Sequence, residues 1–264
     1  MLRQRVITAL ILAPLALLVI LWVPHQVTAA AMALLVLAAA WEWAAFAGLT
    51  RPMQRSGYVV VIAVCVATIW TMQGNRELLN AVLWVATAWW VLALLWVSLF
   101  SSRVGSLAAA VAGVLVLVPA WLALVVLHEH APQLVLLLVL LVVAADVGAY
   151  FGGRKFGRHK LAPAVSPGKT WEGVAGGMVA AILMAAAGIF WLKLTPLPFF
   201  ALSALVVVAS IVGDLTESMF KRHAGLKDSG SLLPGHGGVL DRVDSVTAAA
   251  PFFLVGLERL GLLQ

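Results

Sequence analysis

The sequence predicts an all-α polytopic integral membrane protein, with about nine transmembrane helices and its N-terminus in the cytoplasm. Three observations carry that expectation. The 264 residues are 63% apolar and only 11% charged. Uncharged apolar runs of roughly 15 to 24 residues recur along the chain, the length a helix needs to cross hydrocarbon. Lys and Arg gather in alternate connections, which is how a polytopic protein encodes its orientation. The runs lack the period-two alternation of a transmembrane β-barrel, and the leftover loops are too short for a soluble domain of ordinary size. The single cysteine, Cys65, excludes an intrachain disulfide and reads as a small packed or lipid-facing residue.

In chain order, the first span is expected at 6–23. Arg3 and Arg5 precede it as they would in a secretory signal. The run is longer than a signal core and further spans follow, so it reads as an uncleaved first helix. A tight turn at Pro24 leads to 27–47, then a short span at 58–72 and others at 79–99 and 104–127. The triplet His128 to His130 lacks a zinc spacing and reads as a solvated outer loop. Spans at 133–151, 173–192, 197–217 and 246–263 complete the set. Trp41, Trp43, Trp89 and Trp90 read as interface anchors.

Charge tests this count. With the N-terminus cytoplasmic, 14 of the 17 basic residues fall on the cytoplasmic side, leaving Arg76, Lys193 and Arg259 outside. A missed or extra helix would destroy that asymmetry. The net charge of +6 is thus accounted for by topology and local phosphate chemistry, and no nucleic-acid partner is expected. Glu42, Asp146, Asp214 and Glu217 fall within or at the end of apolar spans, near their cytoplasmic ends. A lone carboxylate at mid-bilayer costs about 2.5 to 3.5 kcal/mol, so each needs a partner or water.

Two cytoplasmic loops stand out, 152–172 and 218–245. Residues 1–127 are therefore expected to be scaffold helices, and 128–264 a catalytic transmembrane region. Asp214 and Glu217 share a helix face, continued by Ser218 and Lys221. Asp241 and Asp244 repeat the spacing where a helix begins, so helix capping competes with metal binding as their role. Carboxylates at one membrane face with few His suit a hard oxygen-liganded cation, Mg²⁺ first, with room for a second cation. Lys155, Lys160, Lys169, Lys221, Arg222, Lys227 and Arg242 could neutralise phosphates, or could serve anionic-lipid contact and orientation. "PGHGG", residues 234–238, offers a turn where backbone amides can approach phosphate oxygens. "SPGKT", residues 166–170, ends like a Walker A loop, but Pro163 stands where the first glycine belongs and no strand is expected ahead of it.

Ser218 to Asp244 resembles the signature of the phosphatidate cytidylyltransferases, or CDP-diacylglycerol synthases. The matching residues are Ser218, Lys221, Arg222, Lys227, Asp228, Gly230, Pro234, His236, Gly237, Gly238, Asp241, Arg242 and Asp244, with no departure. The stretch from Asp146 to Glu172 is similar to the family's second characteristic region. The resemblance implies a bacterial inner-membrane enzyme, its site facing the cytoplasm, that joins phosphatidic acid to CTP with Mg²⁺ as cofactor. CTP, phosphatidic acid and the bilayer are then its partners, and a homodimer is left open.

The expected metal ligands are Asp214 and Asp241, with Asp244 adjacent and Asp146 as a second-site or water-mediated ligand. Asp214, Asp241, Lys227 and His236 form the expected catalytic set. His236 either donates to departing pyrophosphate or pins the glycine turn. Substrate contacts are expected from Ser166, Lys169, Thr170, Lys221, Arg222, Gly237, Gly238 and Arg242. The rival classes are a CTP-dependent lipid kinase and an ion-coupled transporter.

Overall fold

Backbone amides in hydrocarbon must find acceptors within their own segment, and this chain meets the demand with helices. A computed structural model describes residues 2–99, 104–232 and 237–263, with side chains from Leu10 onward. Among the described residues it contains nine helices: α1 (Leu2–Trp22), α2 (His25–Phe46), α3 (Pro52–Thr71), α4 (Arg76–Leu99), α5 (Ser106–His130), α6 (Pro132–Phe156), α7 (Trp171–Leu192), α8 (Pro196–His223) and α9 (Leu240–Arg259). Seven of them, α2 to α8, are long and apolar enough to cross a membrane. α9 carries Asp241, Arg242, Asp244, Glu258 and Arg259 and is not among the seven. Large apolar side chains such as Leu34, Leu92 and Phe190 are exposed on these helices, an arrangement suited to lipid rather than water.

Four sequence expectations change. Trp43 and Trp90, expected as interface anchors, are instead buried, at 1% and 3% exposure. The stretch expected as loop 152–172 is largely ordered: α6 continues to Phe156, and β1 (Lys160–Ala162) pairs antiparallel with β2 (Ser166–Thr170). "SPGKT" is therefore itself a strand. The stretch 218–245 is irregular only in its middle, because α8 runs through Lys221, Arg222 and His223 while α9 begins at Leu240. Basic residues in a last turn complement the helix dipole, which favours the extension of α8. His128 is not in a solvated loop. α5 runs on to His130, so His128 is buried, its Nε2 donating to the Ile20 carbonyl at 2.9 Å and its ring stacked on His25.

The chain divides into two units. The first comprises residues 1–86, 102–136 and 220–244. Here α2, α3 and α5 pack together, and their large polar-tipped rings find carbonyl acceptors on neighbouring helices. Trp43 Nε1 donates to the Ala109 carbonyl at 2.8 Å, Tyr58 to Ala110 at 2.9 Å and Trp121 Nε1 to Ala29 at 3.1 Å. Each indole or phenol thus buries its ring without stranding its donor. Trp43, Phe46 and Phe220 form an aromatic cluster beside them.

The second unit comprises residues 87–101, 137–219 and 245–264. α6 and α7 approach so closely that a Cβ on Gly152 would stand 3.0 Å from the Glu172 carbonyl and 3.2 Å from Gly176 Cα. Small residues at such a crossing let the backbones themselves pack. Ala145, Ala181 and Val207 continue this contact as a buried core, with Met178 and Ile211 against it.

Candidate active site

In the second unit, the hairpin is fastened to the start of α7. Thr170 caps that helix, its Oγ1 accepting from the Gly173 amide at 3.1 Å. Glu172, in the first turn, accepts from the Arg158 amide at 3.1 Å, the His159 amide at 3.2 Å and His159 Nδ1 at 2.6 Å. The two ends of the hairpin are thereby clamped to one helix terminus, where negative charge is favoured. The clamp delivers Lys169 to α8, where its Nζ lies 2.6 Å from Asp214 Oδ2. Ser218 Oγ adds a long hydrogen bond of 3.3 Å to Asp214 Oδ1. Both charged side chains keep more than a quarter of their surface open, 27% for Lys169 and 29% for Asp214.

Asp146, Lys169, Thr170 and Asp214 line one cavity of about 440 Å³, whose other walls include Gly153, Gly173 and Val207. A Mg²⁺ ion that carries nucleotide phosphates commonly takes one or two carboxylates from the protein, so the Asp146 and Asp214 pair suits it. Among the described residues, no three His, Cys, Asp or Glu side chains gather as a metal cluster. Ser166 lies in β2, opposite Ala162, and is not among the residues lining this cavity.

In the first unit, Asp241 sits in the first turn of α9. Lys221 Nζ donates to its Oδ1 at 2.8 Å, and the Gly238 amide to its Oδ2 at 2.9 Å. The Ser229 amide spans both oxygens, at 3.2 and 3.0 Å. Burial pushes the Asp241 carboxyl up, but the Lys221 hydrogen bond and charge and the Gly238 and Ser229 amides outweigh it and hold the group below the usual carboxylate range. Gly237 has φ +82°, a conformation that glycine adopts without strain, and a Cβ on it would stand 3.1 Å from Asp241 Oδ2.

Lys227, Arg222 and Arg242 are exposed, and Asp244 is half-buried. His236 and Pro234 lie outside the described residues, so their expected roles have no structural counterpart. Sequence reasoning singled out Glu42 only as an acid in need of a partner. The structure supplies donors from the signature itself: Ser229 Oγ at 3.0 Å, the Val239 amide at 3.1 Å and the Leu240 amide at 2.9 Å. Those partners lie 187 to 198 positions away, beyond the reach of any pattern read along the chain.

Residues 3–259 match the cytidylyltransferase family. The chain belongs to that family. It is 45% identical to a phosphatidate cytidylyltransferase of Pseudomonas aeruginosa, with 96% of each chain covered. With the Haemophilus influenzae protein of the same name it shares 40% identity over 96% of this chain and 97% of that one. A Bacillus subtilis relative, also so named, is 48% identical over 120 residues, 43% of this chain and 44% of its own. In this member of the cytidylyltransferase family, two of the lysines and two of the carboxylates singled out in the sequence form ion pairs, Lys221 with Asp241 in the first unit and Lys169 with Asp214 in the second.

Proposed function

We propose that the chain transfers a cytidylyl group from CTP to phosphatidic acid, giving CDP-diacylglycerol and pyrophosphate. The observation that carries this reading is the similarity over 96% of the chain to proteins named for that activity. A phosphatidate oxygen attacks the α-phosphorus of CTP and forms the new P–O bond. The bond from that phosphorus to the α,β-bridging oxygen breaks, and its electron pair leaves with pyrophosphate. The nucleophile is already anionic near neutral pH, so the protein's main task is to offset repulsion between phosphates.

Lys169, Arg222, Lys227 and Arg242 contact phosphate oxygens, with Thr170 beside the nucleotide and Gly237 presenting its backbone amide. Lys221 and the Gly238 amide, which both donate to Asp241, hold that carboxylate instead, and Ser166 stays outside the cavity. Thr170 already caps α7, so its part is to hold Lys169 in place. Asp146 and Asp214 would hold Mg²⁺ in the second unit, and Asp241 and Asp244 are the corresponding carboxylates of the first. When bound, that ion supplies positive charge against the phosphates. His236 donates to departing pyrophosphate or pins the glycine turn. Residues 128–264 carry most of these groups, and residues 1–127 serve mainly as scaffold.

The enzyme sits in a bacterial inner membrane with nine crossings, its N-terminus and site on the cytoplasmic side. The 14-to-3 distribution of Lys and Arg under that topology supports this placement. The test follows α-labelled CTP, given with phosphatidate to the full-length protein in membranes. Label is expected in the lipid, and Asp241→Asn is expected to abolish its transfer while leaving membrane insertion intact. Label recovered as free CDP with a phosphorylated alcohol would make the protein a lipid kinase, and ion flux without CTP would make it a transporter.

A further inference from the structure

Glu42 lies outside the Ser218–Asp244 signature, yet its carboxylate is buried against it, with the residue only 2% exposed. Oε1 accepts from the Val239 amide, and Oε2 from the Leu240 amide and the Ser229 hydroxyl. Val239 and Leu240 open α9, where the first amides have no intrahelical acceptor and the dipole presents positive charge. Val239 has no side-chain oxygen to cap them. A carboxylate from α2 thus accepts from the two amides just ahead of the one that a local Ser or Asp cap would serve.

The chain of hydrogen bonds continues to Asp241. Ser229 Oγ, while donating to Glu42, accepts from the Asp241 amide at 3.3 Å, and the Ser229 amide donates to the Asp241 carboxylate. Two signature glycines leave room for this arrangement. A Cβ on Gly230 would lie 2.7 Å from Glu42 Cδ, and one on Gly238 would lie 2.8 Å from it.

We propose that Glu42 is a positioning residue: it anchors the N-terminus of α9 and, through Ser229, holds Asp241 in the orientation the reaction uses. The proposal rests on the cytidylyl-transfer reading for its catalytic consequence, but not for the anchor. Glu42→Gln preserves volume, but in either orientation its NH₂ faces a backbone N–H that can only donate, Val239 on one side or Leu240 on the other.

The test compares wild type and Glu42→Gln as full-length protein in lipid nanodiscs. Amide hydrogen exchange over residues 229–241 is expected to quicken by about tenfold or more, with α7 unchanged. Turnover of CTP with phosphatidate is expected to lose about tenfold or more in kcat, with KM for CTP within about twofold. Glu42→Asp, which keeps the charge at shorter reach, is expected to recover part of both. Ser229→Ala and Glu42→Gln together should cost less than the sum of the two alone.

Unchanged exchange over 229–241, wild-type kcat in Glu42→Gln, or exchange that rises equally along the whole chain would each overturn the proposal. Should wild type make no CDP-lipid while exchange at 229–241 still responds to Glu42→Gln, the anchor stands and the activity reading alone fails.

Discussion

Two lysine–carboxylate pairs of similar length sit in contrasting surroundings. Lys221 and Asp241, 2.8 Å apart in the first unit, are 12% and 10% exposed, and the carboxylate also accepts from two backbone amides. Lys169 and Asp214, 2.6 Å apart in the second unit, are 27% and 29% exposed and line a cavity. In the first pair nearly every lone pair is engaged, so the pair organises the chain around it. In the second, Asp214 has one long hydrogen bond besides its lysine and both side chains are partly open, so the pair separates at small cost. Similar ion-pair lengths thus serve a locked contact in one place and an exchangeable one in the other.

The strongest way to break this contrast is Lys221→Ala. It strands a buried carboxylate, which costs about 3 to 5 kcal/mol. A large fall in melting temperature of the purified protein is expected, with loss of turnover. Stability within error of wild type would show that the first pair is not locked.

Lys169→Ala is expected to do the reverse. Loss of a partly exposed pair costs about 1 kcal/mol or less, so the melting temperature should barely move. Removal of a phosphate contact should lower kcat/KM by about tenfold or more, some 1.4 kcal/mol of transition-state binding. A variant that melts early yet turns over normally would reverse the assignment of the two pairs.

Thr170→Ala sharpens the account of how Lys169 is held. Loss of an N-cap costs about 1 kcal/mol, and the expected sign is a modest drop in melting temperature with a smaller kinetic defect than Lys169→Ala. A kinetic defect larger than that of Lys169→Ala would mean that the hydroxyl itself contacts substrate.

The smallest effect concerns pH. The Asp241 carboxyl is held below its ordinary range, so the folded state binds its proton more weakly than the unfolded chain does. Its stabilisation is then complete above about pH 3.9 and lost only as pH falls through the lower folded value. Melting temperature between about pH 5 and 8 should carry no slope from Asp241. A slope in that window that Asp241→Asn removes would contradict the locked pair.

Much of the helical architecture could be read from apolar run length, because hydrocarbon admits few alternatives to a helix. The expected spans at 27–47, 133–151 and 173–192 overlap α2, α6 and α7 over most of their lengths. The misjudged ends all lie where charge begins. α8 continues past Glu217 to His223 and α9 starts at Leu240 because polar residues can remain helical once the chain leaves the apolar run. The hairpin at 160–170 left no signal, since its two strands have three and five residues and its anchor is the Glu172 carboxylate. His128 carries no signal of burial, because a polar triplet at a helix end looks solvated until His25 and the Ile20 carbonyl are set against it.

By itself, the sequence determined the helical membrane class, the family and the pool of lysines and carboxylates. Each follows from run length or from a contiguous motif, which are local properties of a chain. The tertiary structure alone decided which carboxylate is locked and which is open, and that Glu42 belongs with the signature. Those outcomes depend on hydrogen bonds between residues up to 198 positions apart, and such contacts leave no period or spacing along the chain.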